Sequence, residues 1–380
     1  MKLLIVSHTP HHRDGDRLVG WGPTVREIDH LGGLFEQVVH VAPVHPGTAP
    51  ASEIPYRAGN VRVVAVPPAG GESMGEKLEV ARVLPRYALT IWKELGRCDV
   101  AHVRCPSNIG LVAAALLVLR RKPVLRWVKY AGNWRPKARE SWSYRLQRWI
   151  LDRGLTRSLV TVNGQWPNQP RHVRSFLNPG LTDAELREGA AAAARKSLSE
   201  PVRLLFVGRV DTEKGCGRAI EVMAGLKGRC VRAILEVIGD GPDRGRFEAQ
   251  AAASGVADEV HFRGWLPRQA VAAFYAASHF LLLPSSSSEG WPKVLSEGMA
   301  YGVVPVTSDV SSIPQLIASF RAGRALDAKS VAAFVEAIVG YVQDPASWKA
   351  ESGNAVEAAK SFTYDAYLFA VRNLLALEAA

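Results

Sequence analysis

Two glutamates eight positions apart, Glu289 and Glu297, bracket the stretch EGWPKVLSE. An apolar run, Phe280 to Leu283, then Pro284 and four serines precede them, and GMAYGVVPVTSD follows. The pattern predicts a strand, a polar loop and a helix with a carboxylate at each end. In α/β proteins this arrangement presents acidic groups to a ligand at the carboxyl edge of a sheet. Glu289 is expected at the mouth of the crevice. Glu297 is expected about two turns into the following helix, near the same mouth.

A second group of residues suits an anion. Phe206-Val207-Gly208-Arg209 ends an apolar run, and Asp211-Thr212-Glu213-Lys214-Gly215 precedes a helical stretch. Gly208 permits a tight turn. The next helix offers free backbone N–H groups and the positive end of its dipole, and Arg209 and Lys214 bring two cations to the same point. EVIGDGPDRGRFE (236–248) repeats the strand–glycine–helix theme without the G-x-G-x-x-G spacing. Gly239 and Gly241 either bring backbone close to a ligand or serve a turn. In the first half, GDRLVGWGPTVREIDHL sets Gly20, Gly22 and Pro23 directly before a helix.

The elements that position these residues alternate. Segments 3–7, 38–43, 61–66, 99–104, 124–130 and 159–163 read as strands, and 23–34, 76–96, 108–120 and 137–155 as helices. Such alternation predicts a parallel sheet with helices on both faces, and near-continuous apolar strands fit burial on both sides. The Pro/Asn/Gly-rich segment 163–183 interrupts the pattern and marks a domain junction. The alternation restarts with strands at 202–209, 234–240, 260–264, 280–284 and 303–308. The final segment, SFTYDAYLFAVRNLLALEAA, reads as an amphipathic helix.

A chain of 380 residues with 47% hydrophobic and 22% charged residues suits two globular domains. Only a four-residue apolar run follows Lys2, which suits a first buried strand and is too short for a signal peptide. The longest apolar run, Leu111 to Leu119, reads as a buried helix and falls short of the about 20 residues a bilayer span needs. Cys98, Cys105, Cys216 and Cys230 form no C-x-x-C pair, which fits reduced thiols in the cytoplasm. Residues 1–180 hold 26 Lys+Arg against 13 Asp+Glu, whereas 181–380 hold 21 against 23, so the net charge of +11 belongs to the first half. That asymmetry points to an acidic partner there: a phosphorylated acceptor, anionic lipid or nucleic acid.

The string PSSSSEGWPKVLSEGMAYGVVPVTSD resembles the E-x7-E signature of retaining glycosyltransferases of the GT-B fold, in the large family four group. FVGRVDTEKG resembles that family's pyrophosphate-binding loop, and IGDGP its second glycine turn. The resemblance is strongest over 202–320. It implies two Rossmann-like α/β domains facing across a cleft: an acceptor domain over 1–180, a nucleotide-sugar domain over 181–360, and a helix over 361–380 crossing back to the first. It also implies roles. Glu289 contacts the donor sugar, Glu297 holds the ribose, and Arg209 and Lys214 neutralise the leaving nucleoside diphosphate; Glu289, Arg209 and Lys214 form the catalytic set. Gly208, Gly290, Trp291, Pro292, Lys293, Val294, Gly239, Gly241 and Arg263, the last within VHFRGWLP, belong to donor binding. Gly22 belongs to a glycine-rich loop that closes over the donor phosphates and admits the acceptor.

On the acceptor side the chain departs from the family. Many members carry a histidine at the end of a strand where this chain reads PVLRWVKYAGNW, so Lys129 or Tyr130 stands in its place. Lys129, Tyr130, Asn133 and Trp134 are the acceptor candidates, with His8, His11 and His12 as the nearest histidines and His11 and His12 as candidates among them. No DxD-like motif stands beside an expected strand end, which predicts no metal: arginine, lysine and a helix N-terminus meet the leaving-group charge. No cofactor is expected, only a UDP- or GDP-linked sugar as co-substrate. The segment KARESWSYRLQRWILDRGLTR mixes Lys137, Arg139, Arg145, Arg148, Arg153 and Arg157 with Trp142, Tyr144 and Trp149, which suits an anionic membrane surface. The expected protein is a cytoplasmic, peripherally membrane-bound hexosyltransferase of polysaccharide biosynthesis, with a glycan, lipid-linked or other hydroxyl acceptor and no nucleic acid. The alternatives are a nucleotide-sugar epimerase of the same fold, a phosphorylase, or a non-catalytic binding protein.

Overall fold

A computed structural model describes residues 1–70, 74–136, 140–287 and 290–377, apart from the side chains of 74–81. Glu289, Lys137 and Arg139 lie outside the described residues. The chain divides into two units, Met1–Phe176 with Tyr367–Ala380, and Leu177–Ala366.

The first unit runs β1 (Lys2–Val6), β2 (His11–Asp14), β3 (Arg17–Trp21), α1 (Gly22–Gly32), β4 (Gln37–Pro43), β5 (Glu53–Pro55), β6 (Val61–Val66), α2 (Met74–Leu95), β7 (Val100–Cys105), α3 (Asn108–Leu119), β8 (Leu125–Tyr130), α4 (Trp142–Asp152), β9 (Leu159–Val162) and β10 (Val173–Ser175). Seven strands form one parallel sheet in the order β10-β9-β8-β7-β1-β4-β6. Strand β1 is apolar from Leu3 to Val6 because both of its faces are covered there. Leu4 and Val6 enter one core with Ile91 and Val103, and Leu3 and Ile5 enter the other with Ile28 and Trp127. Helix α3 is capped by Ser107, whose Oγ accepts the Gly110 N–H at 3.0 Å. It is buried on one face only, and Leu119 at its end is exposed.

Residues expected to form a glycine-rich loop form a hairpin instead. Strand β3 pairs antiparallel with β2 and with β5. The turn is Gly15-Asp16, with Gly15 at φ +56°, a left-handed conformation that glycine adopts readily at the first position of a two-residue hairpin loop. Gly20 sits inside this sheet because a Cβ there would lie 2.6 Å from the His11 imidazole.

The second unit runs α5 (Asp183–Ala194), β11 (Val202–Val207), α6 (Cys216–Gly228), β12 (Ala233–Ile238), α7 (Arg244–Ala253), β13 (Val260–Gly264), α8 (Arg268–Ala277), β14 (Phe280–Leu283), α9 (Lys293–Ala300), β15 (Val304–Ser308), α10 (Ile313–Phe320), β16 (Arg324–Leu326), α11 (Val331–Gln343) and α12 (Pro345–Ala359), then the start of α13 (Tyr364–Leu375). Its parallel sheet has the order β13-β12-β11-β14-β15-β16. This is the doubly wound arrangement, and its topological switch point lies between β11 and β14. Val202, Leu204 and Phe206 of β11 point into one core and Leu205 into the other. The rest of α13 belongs to the first unit, where Tyr367, Val371 and Leu375 pack with Leu3, Ile5 and Ile28.

Candidate active site

The switch point of the second unit is built from turns that lock together through their backbones. The Gly208 N–H donates to the Ile238 carbonyl and the Val210 N–H to the Asp240 carbonyl, both at 3.0 Å. A Cβ on Gly239 would stand 1.9 Å from the Gly208 carbonyl oxygen, and one on Gly241 would stand 2.3 Å from that of Val210. The two glycines therefore serve turn-to-turn packing. Gly215, at φ +88°, caps α6 and closes to 2.1 Å of the Pro284 carbonyl by the same measure. Ser286 N–H donates to the Glu213 carbonyl at 2.8 Å, and Arg218 Nε donates to that of Pro284 at 2.6 Å. The loops after β11, β12 and β14 thus form one platform at the carboxyl edge of the sheet. Arg218, which the motif reading missed, ties its first and last members.

Two cations stand on this platform. Arg209 is 65% exposed and pairs with Asp211. Asp211 Oδ1 also accepts the Lys214 N–H at 2.7 Å. Burial opposes ionisation of Asp211, but the Lys214 amide and Arg209 outweigh it and hold the carboxyl below its usual range. Lys214 is lowered by burial first, against the attraction of Asp211. No acidic side chain occupies the first turn of α6. Burial pushes the Cys216 thiol up to about 12, so it is an inert filler beneath the loop. An exposed guanidinium, a lysine and the amino end of a helix at one place suit negative charge.

Helix α9 follows the serine loop. Gly290 and Trp291 are buried, and Pro292, Lys293 and Val294 are half-buried. The Trp291 indole stacks on Phe362, with centroids 5.3 Å apart, and its Nε1 donates to Ser296 Oγ at 2.9 Å. Glu297 is the fifth residue of α9, little more than one turn in, because the helix starts only after Pro292. Its carboxylate is 14% exposed, pairs with Arg268 and accepts from the Tyr275 hydroxyl at 3.1 Å. Arg268 also donates to Glu185 at 2.8 Å and to the Gly180 carbonyl at 2.6 Å. Arg263 turns toward the middle of the sheet. Its Nε donates to Glu236 on β12 at 2.6 Å and its Nη2 to the same carboxylate at 3.1 Å. Among the described residues no group of three or more His, Cys, Asp or Glu side chains is arranged to hold a metal ion.

The acceptor candidates of the first unit are mostly interior. Lys129 is 4% exposed, and its Nζ lies 2.7 Å from Glu27 Oε1, a fully buried carboxylate on α1. Arg104 Nη1 at 3.1 Å and the Tyr367 hydroxyl at 2.9 Å share that carboxylate. Tyr130 and Trp134 are core residues in edge-to-face contact, and Tyr130 accepts from Arg148 at 3.1 Å. Burial pushes the Tyr130 phenol up to about 12. Asn133 is buried and its Oδ1 accepts the Arg135 N–H at 3.1 Å. Gly22, buried at the start of α1, donates its N–H to the Ser52 carbonyl at 3.0 Å.

His11 is fully buried and contacts the Thr9 carbonyl and the Tyr56 hydroxyl, each at 2.9 Å. The carbonyl only accepts, so Nδ1 donates and Nε2 accepts from Tyr56 in the neutral ring. Tyr56 in turn meets His40 Nδ1 at 2.8 Å, and His40 Nε2 meets Ser7 Oγ at 2.7 Å. Burial lowers His11 to about 4. His12 lies 2.9 Å from Glu53 and stacks with His45. Glu27, Arg104 and Tyr56 carry no motif. Their only trace in the sequence is a polar residue at an otherwise buried position.

Residues 191–362 match the family described as Glycosyl transferases group 1. A glycogen synthase of Mycobacterium tuberculosis is 24% identical over 351 residues, covering 85% of this chain and 83% of that one. Among solved structures, the sucrose-phosphate synthase of Thermosynechococcus elongatus superposes with a TM-score of 0.71 at 16% identity, covering 98% of both chains. HepE of Anabaena, solved with UDP and glucose, gives 0.69 at 15% identity over 99% of both chains. At these identities the structural likeness establishes the fold: two Rossmann-like domains of the GT-B glycosyltransferase type. Over residues 191–362 the chain therefore carries a glycosyl transferases group 1 domain.

Proposed function

We propose that the chain is a retaining glycosyltransferase that moves a sugar from a UDP- or GDP-linked donor to a hydroxyl of a glycan, glycolipid or small molecule, without a metal. The observation that carries this reading is the interlocked platform at the switch point, with Arg209, Lys214 and the amino end of α6 on it. HepE, bound to UDP and glucose, lends support from a protein of the same fold. In this reading Arg209 and Lys214 grip the diphosphate, Glu297 meets the ribose and Glu289 meets the sugar. The bond from the anomeric carbon to the leaving phosphate oxygen breaks. The acceptor oxygen bonds the same face, and its proton passes to the leaving phosphate. The protein contributes positioning and fixed positive charge.

A thermal-shift screen of UDP, GDP and their sugars tests the donor class. One base stabilises the protein selectively on this account, and no response to any of them overturns it. Incubation of the selected nucleotide sugar without acceptor should release nucleoside diphosphate. The anomeric configuration of the product, read by NMR, must be retained; inversion refutes the retaining mechanism. Glu289→Gln should lower kcat on the order of 100-fold if the residue touches the sugar in the transition state, and unchanged turnover removes it from the mechanism.

The first unit takes the acceptor in this account and meets an anionic membrane surface. Exposed Trp142, Arg145, Trp149 and Arg153 form one stripe of α4, opposite the buried Ile150 and Leu151. Leu119 and Val124 are exposed on either side of Arg120, Arg121 and Lys122. No described helix is long and apolar enough to cross a membrane. Co-sedimentation with vesicles containing phosphatidylserine at low salt, lost in a Trp142→Ser/Trp149→Ser variant, is the expected result; no co-sedimentation overturns it.

A further inference from the structure

The amino end of α9 closes a ring of contacts that the donor roles leave unexplained. Trp291 stacks on Phe362 with an interplanar angle of 10°. The Phe362 carbonyl accepts the Gly180 N–H at 2.9 Å and that of Leu181 at 3.2 Å. The Gly180 carbonyl accepts Arg268 Nη2 at 2.6 Å, and Arg268 Nη1 pairs with Glu297. Glu297 adjoins Ser296, which takes the Trp291 indole N–H and returns the ring to its start.

The ring also holds the two places where the chain enters and leaves the second unit. That unit begins at Leu177 and ends at Ala366. Its first and last segments are bonded to each other, with Leu181 bridging Thr363 and the Tyr364 N–H donating to the Leu181 carbonyl at 2.8 Å. Arg268 holds three acceptors in one planar fork: Glu297, Glu185 and the Gly180 carbonyl. Displacement of the Glu297 carboxylate therefore moves a guanidinium whose other arm grips the entry strand. Trp291 directly follows Gly290, so displacement of Gly290 and Trp291 is borne by Phe362 in the exit segment.

We propose that Arg268 is a positioning residue: it holds the Glu297 carboxylate in register for the donor's ribose hydroxyls, and the ring through Trp291 and Phe362 transmits donor binding to the entry and exit segments. This rests on the donor-site reading given above. The outcome is an ordering of Gly180, Leu181 and Tyr364 when a nucleotide occupies the site, although none of the three is assigned to touch it.

Hydrogen exchange of the full chain with saturating UDP or GDP is the test. The nucleotide that binds slows exchange over Arg209–Gly215 and also at Gly180, Leu181 and Tyr364. In Arg268→Lys, which keeps the charge and loses the fork, protection at the loop persists and protection at the three amides drops by about tenfold or more. The same variant raises KM for the nucleotide sugar about tenfold and leaves kcat within about a factor of two, the pattern of a lost ground-state contact. Trp291→Phe retains a ring against Phe362 but loses the N–H to Ser296, so it weakens the coupling, and Trp291→Leu, which loses both contacts, abolishes it. Protection at the loop without protection at the three amides, or an Arg268→Lys enzyme with unaltered KM, overturns the inference. Absence of protection everywhere with both nucleotides overturns the donor-site reading, and the inference with it.

Discussion

Replacing Gly239 by alanine puts a methyl carbon 1.9 Å from the Gly208 carbonyl oxygen, where real contacts stay beyond about 3 Å. No side-chain rotation relieves this, because both partners are backbone, so the two turns must part by roughly 1 Å. The position also has φ +130°, a conformation open to glycine and costing about 1–3 kcal/mol for an L-residue. Separating the turns breaks two bonds, Gly208 N–H to Ile238 and Val210 N–H to Asp240, both at 3.0 Å and each contributing about 1 kcal/mol. The sum is about 3–5 kcal/mol, a fall in Tm on the order of 10 °C for a unit of this size. Because Gly208 precedes Arg209, the cation shifts with it, and affinity for UDP or GDP falls in parallel. Thermal unfolding by circular dichroism and calorimetric titration on one preparation measure both effects. A Gly239→Ala protein with unchanged Tm and unchanged nucleotide affinity refutes the interlocked platform.

Gly340, exposed in the middle of α11, has nothing within 4 Å of an added Cβ, so Gly340→Ala should stabilise by about 0.5–1 kcal/mol. A loss of Tm there contradicts the packing described. Glu27→Gln removes a buried carboxylate that Lys129 and Arg104 share, and should cost about 3–5 kcal/mol in urea unfolding. The pH dependence follows from His11, whose folded value of about 4 lies below the ordinary 6.5. The unfolded chain binds the proton first, so this contribution is complete above pH 6.5 and is lost as pH falls toward 4. It amounts to about 3 kcal/mol at the acid end. A His11→Gln variant should show a correspondingly shallower loss of stability between pH 6.5 and 4, and an unchanged slope rules His11 out as its source.

The second unit was legible in the sequence because its signals are local. Phe280–Leu283 is apolar on both faces of a central strand, and Gly215, Gly239 and Gly241 sit where close backbone approach excludes a side chain. The start of α9 was harder: Pro292 delays the helix, so Glu297 sits about one turn in and not two. Acceptor-side expectations suffered from long-range pairing. Lys129 read as an acceptor residue, yet its counter-charge, Glu27, is 102 residues away in the chain. Tyr130 and Trp134 are aromatic in either role, and only packing assigns them to the core. The hairpin over 11–21 was hidden for a different reason. Its strands are short, β2 is polar throughout, and its Gly15-Asp16 turn was absorbed into a glycine-rich loop. Arg263 pairs with Glu236 on the neighbouring strand, a cross-strand relation that spacing does not reveal.

The central claim is that cations on the switch-point platform bind a nucleoside diphosphate. Calorimetric titration of UDP and of GDP into the wild-type chain and into Arg209→Ala and Lys214→Ala addresses it directly. The account predicts that one nucleotide binds the wild type and that each substitution weakens it by about 10–100-fold, the loss of one charge-assisted contact. Equal affinity in all three proteins would contradict it.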